Sequence, residues 1–414
     1  DNFDAINNRG EIKESSGGLG LQLTFLDDLW GYENQLVTGF SLDMGRSDFT
    51  SSVEVAELTA DRGTTKSGLF VPEEAVDVEA ENRTYSLFFT DTISLTDALA
   101  LTFSGRYNDT RIKIKDNLDA SSSINATHDF HRFNPAAGLT FAVNEGMTTY
   151  LNYSESSRAP TPSELGCSDP NDPCTLPNSF LADPPLDQVV AKSWEGGLRG
   201  VFANNISWNA GLFSTTNHDD ILFISTSGST GNTGFFDNIG KTRRQGIELG
   251  LSGQADKLSW SANYSYVDAE FRSPLTISSP NHPDADGNGD ISVSSGDKIP
   301  GIPAHNFKLA ADYQFTPEFS FGADAIVNSA QHYRGDESNQ LEKISGYTIV
   351  NLHADYHATS NIKFFAKVDN VFDKEYSNFG LLGEPDEVIE RFDNPRFEGA
   401  GAPRAAWIGF KITM

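Results

Sequence analysis

The stretch Leu258-Ser-Trp-Ser-Ala-Asn-Tyr-Ser-Tyr266 alternates strictly between apolar or aromatic residues and small polar residues. In an extended chain the first set shares one face and the Ser and Asn side chains share the other. Lipid on one side of a strand and water on the other side demand this arrangement. A soluble β-sandwich produces the same alternation, so the stretch by itself predicts only an all-β protein.

The same pattern recurs along the chain, for example at Ala98–Tyr107 and Asn205–Leu212, and helical periodicity is nearly absent. The mean hydropathy is -0.39, and there is no apolar run of about 18 residues, which excludes a helical membrane protein. The net charge of -28 excludes a general nucleic-acid binder, because phosphate contacts need a basic surface. Abundant Gly and Phe (36 and 29 residues) suit a membrane β-barrel.

The connections between these strands alternate in length, and this decides between the two β architectures. Short turns are expected at Leu95–Asp97, Asn144–Gly146, Ala203–Asn204, Gln254–Lys257, Thr316–Glu318 and Thr359–Asn361. Long polar loops are expected near 49–80, 111–127, 156–187, 273–302, 332–345 and 372–402, with a shorter one near 226–233. Short periplasmic turns and long extracellular loops are typical of an antiparallel transmembrane β-barrel.

Six segments, in chain order, resemble motifs of TonB-dependent outer-membrane receptors. They are Ser157–Leu165, Trp194–Arg199, Asn238–Glu248, Ile299–Phe307, the Asn370-Val-Phe-Asp-Lys-Glu-Tyr376 signature and Gly401–Arg404. Their Pro, Gly and Arg residues are typical of positions that end loops and set strand register, so we expect structural roles rather than ligand contacts. The residues concerned are Arg158, Pro160, Glu195, Gly246, Glu248, Pro300, Pro303, Asn370, Phe372, Tyr376, Pro403 and Arg404.

The resemblance implies a 22-stranded barrel around a plug, of which this chain supplies about 15 to 16 strands. The first clear strand, Gly20–Leu26, and the last, Ala405–Thr413, both run toward the short-turn side, and such an odd set cannot close by itself. We therefore expect residues 1–414 to hold strands 8–22 without the plug domain, with residues 1–16 as the tail of a loop. A further hairpin inside 49–80 would change this count. The sequence also ends on Met414 where the family ends on an aromatic residue.

The resemblance also implies a function. Such receptors import a scarce, bulky nutrient, most commonly a small-molecule metal chelate of the ferric siderophore class, across the outer membrane of a Gram-negative bacterium. The TonB energising complex acts through the plug, and no bond of the ligand is changed, so no enzyme activity and no required cofactor are expected. We expect a monomer in contact with outer-membrane lipid and lipopolysaccharide. The alternatives are a passive porin and a soluble secreted β-protein that binds carbohydrate. The ligand-binding residues are not assigned by any motif.

Two loop segments carry further expectations. Cys167 and Cys174 flank Pro and Asp residues in an exported protein, which predicts a disulfide closing a short loop. The segment Asp284–Ile291 places Asp284, Asp286, Asn288 and Asp290 at the spacing of a calcium loop, with Gly289 at the tight turn. Position 12 is Ser rather than Glu, so the alternative is an acidic turn without metal. The eight scattered His residues support no zinc site.

Four basic residues are candidates for the water-filled face of the strands: Arg106, Arg199, Lys363 and Lys367. They could line the path of an anionic chelate. The alternative, which we favour, is that they pair with acidic residues on the same face.

Overall fold

The computed structural model describes residues 3–122, 124–168, 174–175, 186–202, 205–225, 233–384 and 393–413. It is nearly all β. The strands are β1 Ala5–Phe25, β2 Glu33–Ala56, β3 Phe70–Ser94, β4 Leu99–Asp116, β5 Ala126–Asn144, β6 Met147–Arg158, β7 Cys174–Thr175, β8 Val189–Phe202, β9 Ile206–His218, β10 Ile221–Ser225, β11 Thr233–Asn238, β12 Thr242–Ala255, β13 Leu258–Phe271, β14 Leu275–Ser278, β15 Asp290–Val293, β16 His305–Gln314, β17 Phe319–Asn328, β18 Tyr347–His357, β19 Ile362–Asp369, β20 Ser377–Leu382, β21 Arg396–Ala400 and β22 Ala405–Ile412. One short helix, α1, spans Pro162–Leu165.

Fifteen strands form one continuous antiparallel sheet in the order β1-β2-β3-β4-β5-β6-β8-β9-β12-β13-β16-β17-β18-β19-β22. The remaining strands form three small sheets within the long connections: β10-β11-β7, β14-β15 and β20-β21. Within the described residues no ladder joins β1 to β22, so the sheet does not close on itself. This is the expected fold class, an antiparallel transmembrane-barrel sheet. In the parts of the chain that the structure describes, no helix has the length and apolar character needed to cross a membrane.

The segregation of short and long connections is confirmed. Strands end on either side of the expected turns at Leu95–Asp97, Asn144–Gly146, Gln254–Lys257, Thr316–Glu318 and Thr359–Asn361, whereas Ala203–Asn204 lies outside the described residues. The long connections between strands of the large sheet span 57–69, 117–125, 159–188, 219–241, 272–304, 329–346 and 370–404. Parts of the loops expected near 156–187, 226–233 and 372–402 also lie outside the described residues.

Two expectations near the N-terminus are wrong. Residues 5–16, expected in a loop tail, form the first part of β1, and the loop expected at 49–80 shrinks to 57–69 without an extra hairpin among its residues. The reason is that β1 and β2 pair residue by residue from Ala5 with Ala56 to Phe25 with Leu36. Backbone hydrogen bonds hold this extension, which carries polar side chains on both faces and therefore lacks the alternation that marks a strand in sequence.

The first four strands are much longer than a membrane requires. They have 21, 24, 25 and 18 residues, against about 9–11 for a tilted strand that crosses a bilayer. One face of β4 is apolar from Leu99 to Tyr107 and charged beyond it, with Asp109 followed by three basic residues, while Ile112 and Ile114 on the opposite face are buried. We call the first face the exterior face and the opposite one the lumenal face. The hairpins therefore project beyond the apolar band at the long-connection end.

The long connections are packed against one another and against the lumenal faces of the strands. One apolar cluster joins Val78, Ile112 and Ile114 of β3 and β4 to Leu165 of α1 and Leu186. A second cluster consists of buried residues from two connections, 219–241 and 272–304, and the end of β13: Ile239, Phe271, Ile277, Ile291 and Val293. The loops at this end thus pack together around buried apolar residues of their own. We call this packed layer of loops the cover.

Candidate functional site: the lumenal wall and its loop cover

The lumenal faces of the strands together form a polar surface, which we call the lumenal wall. The four basic residues expected on this wall each contact a neighbouring side chain. The guanidinium of Arg106 donates to Asn108 Oδ1 at 2.8 Å and to Ser41 Oγ at 3.1 Å. Lys363 Nζ lies 2.8 Å from Asp355 Oδ1, and Lys367 Nζ lies 2.9 Å from Asp369 Oδ1. The two lysines match the interpretation that the cations pair with acidic residues on the same face, whereas the partners of Arg106 are neutral. Arg199 instead lies over an aromatic ring, 6.0 Å from the centroid of Tyr150.

Tyr150 is the centre of a cluster on β6, β8 and β9. Its hydroxyl donates to Glu195 Oε1 at 2.8 Å. The ring lies close to Gly197 and Gly211, where an added Cβ would come within 2.9 Å and 3.4 Å of the tyrosine oxygen. The two glycines therefore give the ring room to lie flat on the wall. The family-motif residue Glu195 has a positioning role here, because it holds the tyrosine hydroxyl.

A second lumenal contact crosses β17. His353 Nε2 lies 2.7 Å from Asp312 Oδ1, although their strands, β18 and β16, are not adjacent. Gly322 lies between them on β17, and a Cβ there would come within 2.3 Å of both groups. A glycine thus allows a carboxylate and an imidazole to meet across a strand. Such hydrogen-bonded pairs give a hydrated wall that presents few unpaired charges to a passing solute.

Two long connections meet at Asp336, whose side chain is fully buried. Its carboxylate contacts His282 Nε2 at 3.1 Å and His332 Nδ1 at 3.4 Å, and it accepts backbone N–H groups from Gln340 and Leu341. Burial by itself would raise the pKa of Asp336, but these hydrogen bonds outweigh burial and hold the pKa below its usual value. His282 belongs to the connection 272–304 and Asp336 to 329–346. The ionised carboxylate therefore ties two parts of the cover together.

Glu337, the next residue, has the opposite environment. Its Oε1 accepts the backbone N–H of Gly335 at 3.1 Å, but its Oε2 is buried and has no hydrogen-bond partner among the described residues. Burial raises the pKa of this carboxyl above its usual value. The cover therefore contains one carboxylate that stabilises it when ionised and one that does so when protonated.

The signature segment forms a hub at the start of the last connection. Asn370 is buried with φ 48°, and its Nδ2 donates to the carbonyls of Lys374 at 2.9 Å and Ala402 at 3.1 Å. Its Oδ1 accepts the backbone N–H of Lys374 at 2.8 Å. Asp373 Oδ1 accepts the backbone N–H of Arg404 at 3.0 Å. These bonds join the end of β19 to the beginning of β22, which is a structural role.

Other motif residues also stabilise junctions. Arg158 binds Glu164 through two hydrogen bonds of 2.7 and 3.0 Å, and Glu164 completes a capping box with Thr161 at the start of α1. Pro160 beside them is fully buried. The Tyr376 ring lies 4.5 Å from the Tyr347 ring, centroid to centroid, at an interplanar angle of 41°. Gly246 and Glu248 lie within β12, between β9 and β13. The other positions lie in connections: Pro300 and Pro303 in 272–304, and Phe372, Pro403 and Arg404 in 370–404.

The two loop expectations have different structural outcomes. Cys167 and Cys174 are joined by a disulfide, with their Cα atoms 5.7 Å apart. In the segment with calcium-loop spacing, Asp286 Oδ1 accepts the backbone N–H groups of Asn288 and Asp290 at 2.8 and 3.1 Å, and Gly289 has φ +83°. Within the described residues no group of three or more His, Cys, Asp or Glu side chains could hold a metal ion. These hydrogen bonds hold the acidic turn between β14 and β15, and calcium binding at this turn stays a prediction.

Sequence reasoning missed several residues of this site. Tyr150, Asp312, His353, His282 and Asp336 carry no motif, and their contacts join residues 41 to 54 positions apart. Only the alternation of β6, β16 and β18 could have placed the first three on the lumenal face. Nothing in the sequence indicates that the loop residues meet.

Comparison with known proteins identifies the family to which this chain belongs. A family model described as TonB dependent receptor-like, beta-barrel matches residues 1–371. The metal-pseudopaline receptor CntO of Pseudomonas aeruginosa is 30% identical over 148 residues, which are 35% of this chain and 19% of that protein. The catecholate siderophore receptor Fiu of Escherichia coli K12 is 21% identical over 62% of this chain and 30% of its own length.

The fold agrees with this match. The crystal structure of the siderophore receptor PiuA from Acinetobacter baumannii superposes with a TM-score of 0.70 at 17% identity, covering 98% of this chain and 56% of that one. The chain therefore spans about half the length of that receptor and less of the two sequence relatives. Its long sheet, its loop cover and the family match agree, and the chain belongs to the TonB-dependent receptors through their β-barrel domain.

Proposed function

We propose that the full-length protein imports a metal chelate, of the ferric siderophore class, across the outer membrane of a Gram-negative bacterium. The observation that carries the proposal is the packed loop cover above a polar, charge-paired lumenal wall, in a chain of the TonB-dependent receptor family. The names of the relatives support a chelate: CntO is a metal-pseudopaline receptor and Fiu a catecholate siderophore receptor. The TonB complex supplies the energy, and the receptor works as a monomer without a resident cofactor.

The test is growth of a strain that lacks the full-length gene, under iron limitation imposed by a chelator. Three metal chelates are supplied separately: a ferric catecholate, a ferric pyoverdine and a metal–pseudopaline complex, after the names of the relatives. The proposal expects loss of growth on one class and rescue by the wild-type gene. Equal growth of deletion and parent strains on all three classes would contradict the proposal.

A passive porin is the alternative. It predicts that uptake of the chelate continues when the TonB gene is deleted, because diffusion needs no energy coupling. A receptor predicts that uptake stops in that background.

A further inference from the structure

The part of β5 nearest the long connections lacks a neighbouring strand on one side. β5 pairs with β4 all the way from Ala126 to Phe141, but its ladder with β6 begins only at Ala136, opposite Ser154. Between Ala126 and Pro135, no ladder or other backbone hydrogen bond toward β6 is found within the described residues. The large sheet therefore has an open strand edge inside its wall.

Pro135 explains why the ladder with β6 stops at this point. The N–H of Ala142 donates to the carbonyl of Ala98 on the β4 side, so even-numbered residues of β5 direct their backbone groups toward β4 and odd-numbered ones toward β6. Pro135 is odd-numbered and has no N–H to donate. The odd-numbered residues beyond it, whose backbone groups face the gap, are Phe133, His131, Asp129 and Thr127.

Another strand that outruns its neighbour is covered differently. β13 extends beyond its ladder with β16, and the connection 272–304 supplies the missing backbone partners. The N–H of Phe271 donates to the carbonyl of Asp297 at 2.9 Å, and the N–H of Ile299 donates to the carbonyl of Ala269 at 3.0 Å. The edge of β5 has no such cover in the described part of the chain.

Side chains bridge the gap beside β5. Arg132 Nη2 lies 2.5 Å from Glu155 Oε2 of β6. Farther along the strand, Gln188 Nε2 donates to the carbonyl oxygen of His131 at 3.2 Å. This amide side chain occupies the place that the N–H of an adjacent strand would take.

A cleft of about 630 Å³ follows this edge. It is lined by the consecutive residues 127–132 of β5 and, on its other side, by 186–188, Val190 and Asp219. Successive residues of a strand point to opposite faces, so a cleft that touches six in a row meets the strand at its edge. Six residues of an extended chain span about 20 Å at roughly 3.3 Å each. The cleft thus has the form of a slot for a short extended segment.

Apart from its two histidines, the cleft carries a negative charge that the protein does not compensate. Asp187 and Asp219 are exposed and form no ion pair within the described residues. The basic lining residue Arg132 is neutralised by Glu155, and the lining residue Asp129 is neutralised by Arg111. Charge complementarity therefore favours an occupant that carries Lys or Arg side chains.

We propose that this edge binds an extended, basic peptide segment of an extracellular protein by strand addition. The segment would pair with the free backbone groups of β5, displace the Gln188 amide and place its basic side chains against Asp187 and Asp219. An open strand edge is a template for another strand, whose main-chain hydrogen bonds supply affinity while its side chains supply specificity. The inference goes beyond chelate import and takes from the proposed function only the orientation of the long connections toward the outside of the cell.

The test measures binding of three fluorescent synthetic hexapeptides to the full-length receptor in detergent, by fluorescence anisotropy. The first alternates Lys and Val, the second alternates Glu and Val, and the third is the Lys–Val peptide N-methylated at every residue, which keeps its charge but cannot donate backbone hydrogen bonds. The receptor variant D187N/D219N removes the two uncompensated charges. Asn tolerates the left-handed backbone of Asp219, with φ 54°, so this variant should fold. The matched control, E73Q/E74Q, removes two exposed acidic residues of β3.

We expect the Lys–Val peptide to bind wild type and E73Q/E74Q equally and D187N/D219N about tenfold more weakly. The Glu–Val and N-methylated peptides should not bind, and the bound Lys–Val peptide should slow hydrogen exchange of the amides at 127–133. No binding of the Lys–Val peptide to wild type would overturn the proposal. Equal binding of the N-methylated peptide, or unchanged exchange in β5, would exclude strand addition.

The remaining outcomes concern charge and place. Equal binding of the Glu–Val peptide would contradict a basic partner. Equal affinity of D187N/D219N and wild type, or an equal loss in E73Q/E74Q, would show that the peptide binds elsewhere or through nonspecific attraction. No ferric chelate enters these measurements, so this proposal and the proposed import can fail separately.

Discussion

At the scale of single residues, the signature asparagine is the clearest case of a motif residue whose role is structural. Asn370 combines a left-handed backbone with three side-chain hydrogen bonds that span the last connection. A left-handed conformation costs most residues about 1–2 kcal/mol, and asparagine tolerates it through local hydrogen bonds. This explains why the segment identifies the family without indicating the ligand.

Asn370→Ala should destabilise the end of the barrel sheet by about 3 kcal/mol, because it removes three hydrogen bonds and retains the backbone strain. Asn370→Gly should cost about 1 kcal/mol less, because glycine adopts the same φ without strain. Thermal unfolding of the full-length variants in detergent measures both. Equal unfolding temperatures for wild type and Asn370→Ala would show that the hydrogen bonds of Asn370 do not stabilise the last connection.

Glu337 gives a prediction that depends on pH. A carboxyl whose pKa is raised in the folded state stabilises that state at low pH, and this contribution is lost as the pH rises through the folded pKa. Glu337→Gln should therefore slow hydrogen exchange of the connection 329–346 at pH 7.5, and the difference from wild type should shrink below the ordinary glutamate pKa of about 4.3. The control Glu342→Gln, an exposed residue of the same connection, should have little effect. A difference that grows on acidification would contradict this account.

At the scale of elements, alternation predicted the membrane-crossing parts of the strands well. It failed for the projecting part of β1, where Glu11, Lys13 and Ser15 share one face and no lipid selects apolar residues. It also could not predict the loop cover, because His282 and Asp336 lie 54 residues apart and meet only through folding. The sequence thus predicts which parts of the strands contact lipid. The hydrogen bonds between loops can be identified only in the folded structure.

A substitution at Gly246 of β12 would test how closely β12 must approach β13. A Cβ at this position would lie 1.9 Å from the carbonyl oxygen of Tyr266 on β13, so the backbone would have to move. Gly246→Ala should destabilise the sheet by about 1–3 kcal/mol and lower the yield of folded receptor. Gly20→Ala in β1, where nothing lies within 4 Å, is the matched control. Heat-modified mobility on gels reports the folded fraction; equal behaviour of the two variants would argue against close packing at Gly246.

At the scale of the whole molecule, the structure combines fifteen neighbouring strands with an apolar exterior band and a loop cover at one end. The cations of the wall are occupied by carboxylates, neutral polar groups or an aromatic ring, so selectivity is expected from the cover rather than from the strands. The family is one of receptors and transporters rather than enzymes, in agreement with the expectation that no bond of the ligand is changed.

The central claim is energised import of a ferric chelate, and the most direct measurement is the initial rate of uptake of radiolabelled iron bound to the chelate that supports growth. The rate is compared in a deletion strain, in that strain with the full-length gene restored, and in the restored strain without TonB. Our account predicts rapid uptake only in the restored strain with TonB. Undiminished uptake without TonB, or without the receptor gene, would contradict it.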